Sequence, residues 1–257
     1  MNHSVVGAIA AIALFFAMLA SAVAGHRYGI RLFRRDGDAA AGTGTVDAAI
    51  LSLLGLLIAF TFSGAYKRYE SRRGLVVQEA NNIGTAYLRI DLLRESDQTP
   101  MRDLFRKYLQ TRLDFWESLS DVKLATALHD QTVAIQGQIW DLAVHSTAGD
   151  ETRSARLLLL PALNAMFDIT TTRLAAIQAH PPVLIFVMLA ALAVSAAALV
   201  GFGMGNSPRP KIWHVVGLAA ISAATIYVIL DIEYPRFGWV TLDSAQEALS
   251  DQLQQMR

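Results

Sequence analysis

The chain has 257 residues, of which 53% are hydrophobic and 17% charged, and its formal net charge is zero. This composition is too apolar for an ordinary soluble domain, and the balanced charge gives no indication of a nucleic-acid partner. Because the chain contains no cysteine, disulfides, thiol chemistry and cysteine-ligated metals are excluded. The composition therefore predicts a membrane protein.

Four stretches of the chain are nearly free of charged residues, and each is close to the ~20 residues that a helix needs to cross a ~30 Å hydrocarbon layer. We therefore predict four transmembrane helices. They divide the chain into 1–66 with the first two spans (about 5–24 and 46–66), 67–182 outside the membrane, 183–231 with spans three and four, and a C-terminal amphipathic tail, 232–257.

The first span contains no ionisable residue and is typical of a membrane anchor. It ends in SAVAG, which fits a signal-peptide cleavage site, so a removed leader is the alternative. The residues before the span, MNHS, contain no Lys or Arg, and the absence of a basic residue there favours the anchor.

The second span continues into a helix with the composition of a water-exposed segment. It is followed directly by KRYESRRGL, and no proline or glycine cluster interrupts the pattern before Asp91. At 1.5 Å per residue, a helix over 67–94 would extend about 40 Å beyond the membrane. A helix of this kind is suited to lining a conduit or to transmitting a movement.

Residues 95–182 have a helical period throughout and no alternating strand pattern. Thr99-Pro100 is typical of a helix start, with a capping hydroxyl before a proline at the first helical position. Pro161 predicts a kink or a break in the last helix of this region. The fold class we expect is an all-α membrane protein, with this large helical domain inserted between the second and third spans.

No group of residues predicts catalysis, a cofactor or a metal site. The histidines are scattered and none has a neighbour at ligand spacing, and the HExxH, P-loop, GxGxxG and GxSxG motifs are absent. We expect no enzyme. The spans also lack the interior charge on which ion-coupled carriers usually hold their ion, whereas a passive pore with a hydrophobic constriction needs none.

One segment of the chain resembles the second transmembrane helix of bestrophins. In AFTFSGAYKRYESRRGLV, the residues that match the bestrophin pattern are Phe60, Arg68, Tyr69 and Arg73. With VVQEANNIGTAYLR, LNAMFDITTTR and LDIEYPR, the chain is also similar, over most of 46–240, to bacterial membrane proteins with a bestrophin-like domain of unassigned function. The resemblance implies a homopentameric channel for anions or monovalent cations in the bacterial inner membrane, with a cytosolic helical region.

The resemblance also implies a narrow neck of three residues at successive turns of the second span. These are Phe60, which would form the tightest ring, Leu56 and Ser52. Ser52 departs from the pattern because it is polar where an apolar ring is expected. The three residues share one stripe of the helix. Packing of Leu56 and Phe60 against neighbouring spans or lipid is the alternative.

Two further groups of polar residues are candidates for a role. Charges near the membrane ends of the spans are expected to anchor the helix or form salt bridges, such as Arg73 with Glu233, and attraction of anions into a vestibule is the alternative; they are Arg68, Arg72, Arg73, Asp231 and Glu233. Polar residues on otherwise apolar helices are expected to satisfy one another, with lining of an aqueous vestibule as the alternative; they are Asn81, Asn82, Asn164 and Asp168.

Membrane orientation and function each keep two interpretations. Basic residues near the spans are equal in number on the two sides. Because the positive-inside rule discounts long domains, charge alone favours a helical domain outside the cytoplasm, whereas the resemblance implies a cytosolic one. For function, we expect a passive ion channel whose path follows the second span. The alternative is a non-conducting membrane scaffold or sensor whose helical domain binds a partner.

Overall fold

The computed structural model describes residues 3–35, 43–206, 212–234, 240 and 243–256. Within these ranges the chain forms helices and short 3-10 turns and contains no strand, and the all-α membrane class is confirmed. The helices are α1 (His3–Phe33), α2 (Thr43–Leu88), α3 (Glu95–Glu117), α4 (Val122–Ser146), α5 (Arg153–Gln178), α6 (Val183–Gly203), α7 (Ile212–Glu233) and α8 (Asp243–Gln255).

The chain divides into two compact units. One comprises Met1–Tyr69 with His180–Thr241, and the other comprises Glu70–Ala179 with Leu242–Arg257; we call them the membrane unit and the helical unit. Four helical stretches are long and apolar enough to span a bilayer: Val5–Phe33, Gly44–Leu92, Asp150–Gly203 and Ile212–Glu233. The chain is therefore a multi-pass membrane protein, and where each span begins and ends within its helix stays a prediction.

In the membrane unit, α1, α6 and α7 form the core. Met18, Ala193 and Ala219 are completely buried between these helices. A Cβ added to Gly201 would collide with the backbone carbonyl of Ala22, so the absence of a side chain is what lets α6 approach α1. The hydroxyl of Ser21 donates a 2.9 Å hydrogen bond to the carbonyl oxygen of Val194 across the same contact.

In the helical unit, α3 supplies much of the core, including the completely buried Met101, Phe105 and Leu109. The helix begins at Glu95, so the start expected at Thr99-Pro100 is wrong and Pro100 lies inside α3. The carbonyl of Leu93, just before the helix, accepts a hydrogen bond from the Gln98 side chain, which tethers this earlier first turn.

Pro161 neither splits α5 nor ends it. The helix runs from Arg153 to Gln178 with the proline inside it. Proline removes one backbone hydrogen bond and crowds the carbonyls of the preceding turn. Next to the Leu157 carbonyl that loses its helical partner, the guanidinium of Arg89 donates a hydrogen bond to the carbonyl of Leu158.

The C-terminal helix α8 packs on the helical unit. Leu249 and Met256 are almost completely buried in the core of this unit. Arg106 Nε donates a 3.1 Å hydrogen bond to the carbonyl of Met256. The amphipathic character of the tail is therefore used to cover the bundle.

Candidate functional site

Within the membrane unit, α2 has one side turned to its own core and one side turned away from it. Leu54 and Ala65 are buried on the inner side. The side chains of Phe60, Leu56 and Ser52 lie on the outer side, and Phe60 is 65% exposed. Only 11% of the apolar window of α2 is buried, against 44% for α7. In a single chain, the proposed neck residues therefore form a continuous exposed stripe.

At the end of the fourth span, Glu233 is a fully buried carboxylate that Arg68 contacts at two points. Arg68 Nη2 lies 2.8 Å from Oε2, and Arg68 Nε lies 3.1 Å from Oε1. Arg73, the partner expected from the sequence, lies instead beside Glu70 on its own helix, at 3.7 Å. Among the boundary arginines expected to form salt bridges, Arg68, five residues before Arg73, therefore pairs with Glu233.

His180 completes this cluster. Its Nδ1 lies 3.1 Å from Glu233 Oε1, and its ring stacks on Tyr234 with the ring centroids 4.6 Å apart. The cluster thus joins α2, the segment that precedes α6 and the end of α7 through one carboxylate. This arrangement fixes the middle of α2 within the membrane unit.

The remaining two boundary charges are both buried. Asp231 is 7% exposed and accepts a 3.1 Å hydrogen bond from the backbone N–H of Val240. Arg72 is 4% exposed and donates hydrogen bonds of 3.0 Å to the carbonyl oxygens of Ala176 and Ala179, at the C-terminal end of α5. A cation at a helix C-terminus is favourable because the last carbonyls carry partial negative charge.

The four polar residues expected to satisfy one another are not brought together as a group. Asn82 Nδ2 donates a 2.9 Å hydrogen bond to the backbone carbonyl of Ala165, so one contact between α2 and α5 does form. The side chains of Asn81, Asn164 and Asp168 are exposed. Whether they line a vestibule stays a prediction.

The helical unit contains a buried ionic cluster that the sequence analysis missed. Glu79 is fully buried and accepts a 2.7 Å hydrogen bond from Arg112 Nε through one carboxylate oxygen. Its other oxygen forms an ion pair with Arg173 Nη1. The three residues come from α2, α3 and α5, so a single carboxylate connects three helices of the bundle.

Aromatic rings surround the two arginines of this cluster. The guanidinium carbon of Arg173 lies 3.7 Å from the ring centroid of Trp116, and that of Arg112 lies 5.1 Å from the same centroid. Tyr108 is completely buried, and burial raises the pKa of its phenol, so its hydroxyl stays protonated at physiological pH. The cluster is therefore buried and flanked by aromatic rings.

The signal for the missed cluster is present in the sequence as a charge on an apolar stripe. Glu79 lies three residues after Val76 and four before Ile83, both of which are buried. Arg112 likewise interrupts the stripe that runs from Tyr108 to Trp116. An isolated charge on the core face of a helix requires a buried partner.

Across the described residues, no group of three or more His, Asp or Glu side chains is arranged to hold a metal ion. The contacts in both clusters are those of ion pairs.

A family model described as “Bestrophin-like domain” matches residues 12–240 of the chain. The match covers most of the sequence and includes the exposed stripe of α2 and both charged clusters. No curated protein and no solved structure matches the chain.

Proposed function

This chain belongs to the family of proteins with a bestrophin-like domain, and on that basis we propose that it is an oligomeric ion channel that conducts passively along α2. It is a multi-pass membrane protein related to bestrophin channels.

The observation that carries the proposal is the outward stripe of α2. Ser52, Leu56 and Phe60 are spaced four residues apart and all face away from the core of their own chain. If several copies surround an axis with this stripe inwards, each residue forms a ring. Phe60 then forms an apolar ring, of the kind that gates by dewetting.

The charged residues of the membrane unit are consistent with a conduction path that has no fixed ion-binding charge inside the membrane. Arg68 is engaged by Glu233, and this pairing holds the middle of α2 in place. Further along the same helix, in the helical unit, Arg73 is 53% exposed and remains available to raise the local anion concentration.

We propose a homopentamer in the bacterial plasma membrane, with residues 67–182 in the cytosol. Its partners are the lipid bilayer and small inorganic ions, either anions or monovalent cations. The similarity to bestrophins supports this assembly and this orientation.

The first experiment is a mass measurement of the intact oligomer purified in detergent, followed by ion flux from liposomes. We expect five times the 28.0 kDa of one chain, and flux for small ions. A monomer or dimer would contradict the proposal, because one α2 from each of two chains cannot enclose an aqueous path. A closed oligomer without flux would favour the non-conducting scaffold or sensor instead.

A further inference from the structure

One exposed face of α1 changes from apolar to cationic along its length. Its side chains recur every three or four residues, so they lie on the same side of the helix. The first part of this face is apolar and consists of Val5, Ile9, Ile12, Phe16, Ala20 and Val23. The same spacing then continues with the exposed arginines Arg27, Arg31 and Arg34. The backbone N–H of Arg34 still bonds the carbonyl of Ile30, so the helical turn extends to the last of them.

Packing against α6 holds the cationic end of α1 in place. A Cβ added to Gly29 would collide with the carbonyl oxygen of Phe202 on α6, so this glycine lets the two helices touch at the level of the arginines. The Phe202 ring also contacts Tyr28 and Phe33, with centroid separations of 6.1 and 5.1 Å. The arginines therefore project from a helix that is anchored on its opposite side.

The positive charge of this face is not neutralised within the described residues. Arg27, Arg31 and Arg34 form no ion pair there. No acidic residue occurs in the sequence before Asp36, which lies outside the described ranges. Side chains three or four residues apart on a helix have Cβ atoms about 5–6 Å apart, so these like charges repel one another. An anion bound across them would relieve this repulsion.

The apolar part of the face matches the thickness of a bilayer. From Val5 to Val23 the helix rises about 27 Å, close to the ~30 Å of the hydrocarbon layer. When this part crosses the membrane, Arg27 and the arginines beyond it reach the level of the lipid headgroups. Tyr28, which is 62% exposed, then lies at the interface where tyrosine is enriched in membrane proteins.

We propose that Arg27, Arg31 and Arg34 bind the phosphate of an anionic phospholipid whose acyl chains run along the apolar part of the same face. A guanidinium donates two parallel hydrogen bonds to a phosphate, and clustered basic residues beside a span attract anionic lipid. Because the cationic and apolar parts are continuous, the face fits a lipid better than a free phosphate ion. The site lies on α1 and does not depend on conduction along α2.

The test is native mass spectrometry of the full-length protein in detergent, titrated with phosphatidylglycerol or with phosphatidylcholine of the same acyl chains. We expect phosphatidylglycerol to bind about tenfold more tightly at low ionic strength, because only its headgroup carries a net negative charge. Inorganic phosphate, exchanged for chloride at constant ionic strength, should not displace the bound lipid.

Arg27→Gln, Arg31→Gln and Arg34→Gln should each weaken phosphatidylglycerol binding by about fivefold, the usual contribution of one basic residue near an anionic lipid surface. The three side chains are exposed and unpaired, so the variants should fold. The matched control for the combined variant removes three exposed positive charges of the helical unit and should keep the affinity for lipid. It combines Lys123→Gln, Arg153→Gln and Arg156→Gln.

The proposal is wrong if the two lipids bind equally, if inorganic phosphate displaces phosphatidylglycerol, or if the single arginine variants bind it as the wild type does. Loss of binding in the control combination would show that net charge, and not this face, attracts the lipid. If the arginine variants instead change the mass of the oligomer and leave lipid affinity unaltered, the face is a contact between copies of the chain, and the lipid site is refuted.

Discussion

Arg68 and Glu233 are 165 residues apart in the sequence, and they form a two-point ion pair in which Nη2 lies 2.8 Å from Oε2 and Nε lies 3.0 Å from the same oxygen. The carboxylate is fully buried, whereas the arginine side chain is 31% exposed. The pair is therefore asymmetric, since solvent can still reach the arginine when the carboxylate is removed.

This asymmetry predicts unequal effects of removing each partner. Arg68→Gln leaves a buried carboxylate and should cost about 3–5 kcal/mol, whereas Glu233→Gln should cost less and the double variant should recover part of the loss. Arg73→Gln, at an exposed i,i+3 pair, should change stability by less than about 0.5 kcal/mol. Unfolding temperatures in detergent compare the stability of the four variants. Equal losses at Arg68 and Arg73 would contradict the assignment of the pair.

Phe60→Ala should increase ion flux in liposomes, because it widens the proposed apolar ring and lowers the dewetting barrier. A tenfold increase would correspond to a barrier lower by about 1.4 kcal/mol. Phe62→Ala is the matched control, since Phe62 is exposed on a different face of the same helix. If Phe60→Ala leaves the flux of a conducting protein unchanged, Phe60 is not the constriction.

Glu79→Gln should destabilise the helical unit strongly, because it leaves two buried arginines without a carboxylate. We expect a loss of about 3–5 kcal/mol. Glu70→Gln changes an exposed glutamate on the same helix and should be close to neutral. Proteolysis of the folded protein provides the measurement, and comparable protection of the two variants would show that the cluster contributes little to stability.

Gly201→Ala should weaken the contact between α6 and α1, because the added Cβ would collide with backbone atoms of Ala22. Backbone atoms cannot move aside by a change of rotamer, as a flexible side chain can. Overpacking of this kind costs about 1–3 kcal/mol. Gly217→Ala is the control, since nothing lies within 4 Å of its added Cβ, and it should be neutral or slightly stabilising. Thermal unfolding in detergent compares them, and an equal effect of both would argue against close packing at Gly201.

Because the chain has no cysteine, orientation can be measured with single introduced cysteines. Ser120→Cys, at an exposed position of the helical unit, should react with a membrane-impermeant maleimide only after cells are opened. Ser207→Cys, between the third and fourth predicted spans, should react in intact cells. The reverse pattern would place the helical domain outside the cytoplasm, as the distribution of basic residues favours.

Features that depend on local sequence were predictable, and those that depend on distant contacts were less so. Hydropathy is summed over neighbouring residues in the sequence. The long apolar runs therefore predicted the four membrane-length helices and the all-α class. The helix ends were harder to predict, because α3 begins before Thr99-Pro100 through a contact between Gln98 and Leu93. Local rules alone place a start at a capping residue followed by proline.

The partner of Glu233 could not be chosen from the sequence, because Arg68, Arg72 and Arg73 all follow the second predicted span closely. The rotation of α2 about its axis determines which of these arginines faces α7, and that rotation depends on how α2 packs along its length. The Glu79 cluster has the same origin, since a charge on an apolar stripe indicates that a partner exists but does not identify Arg112 and Arg173. The positions of Ser52, Leu56 and Phe60 on one face, by contrast, follow directly from their spacing.

The cluster around Glu79 also has a consequence for synthesis of the chain, because its members leave the ribosome in the order Glu79, Arg112 and Arg173. A nascent chain that has released α3 can already form the neutral Glu79–Arg112 pair. The second arginine arrives only after α4 and most of α5 have been translated. A ribosome stalled between these two points would therefore present an incomplete bundle whose buried ion pair is neutral, and the excess positive charge would enter the core only when α5 is added.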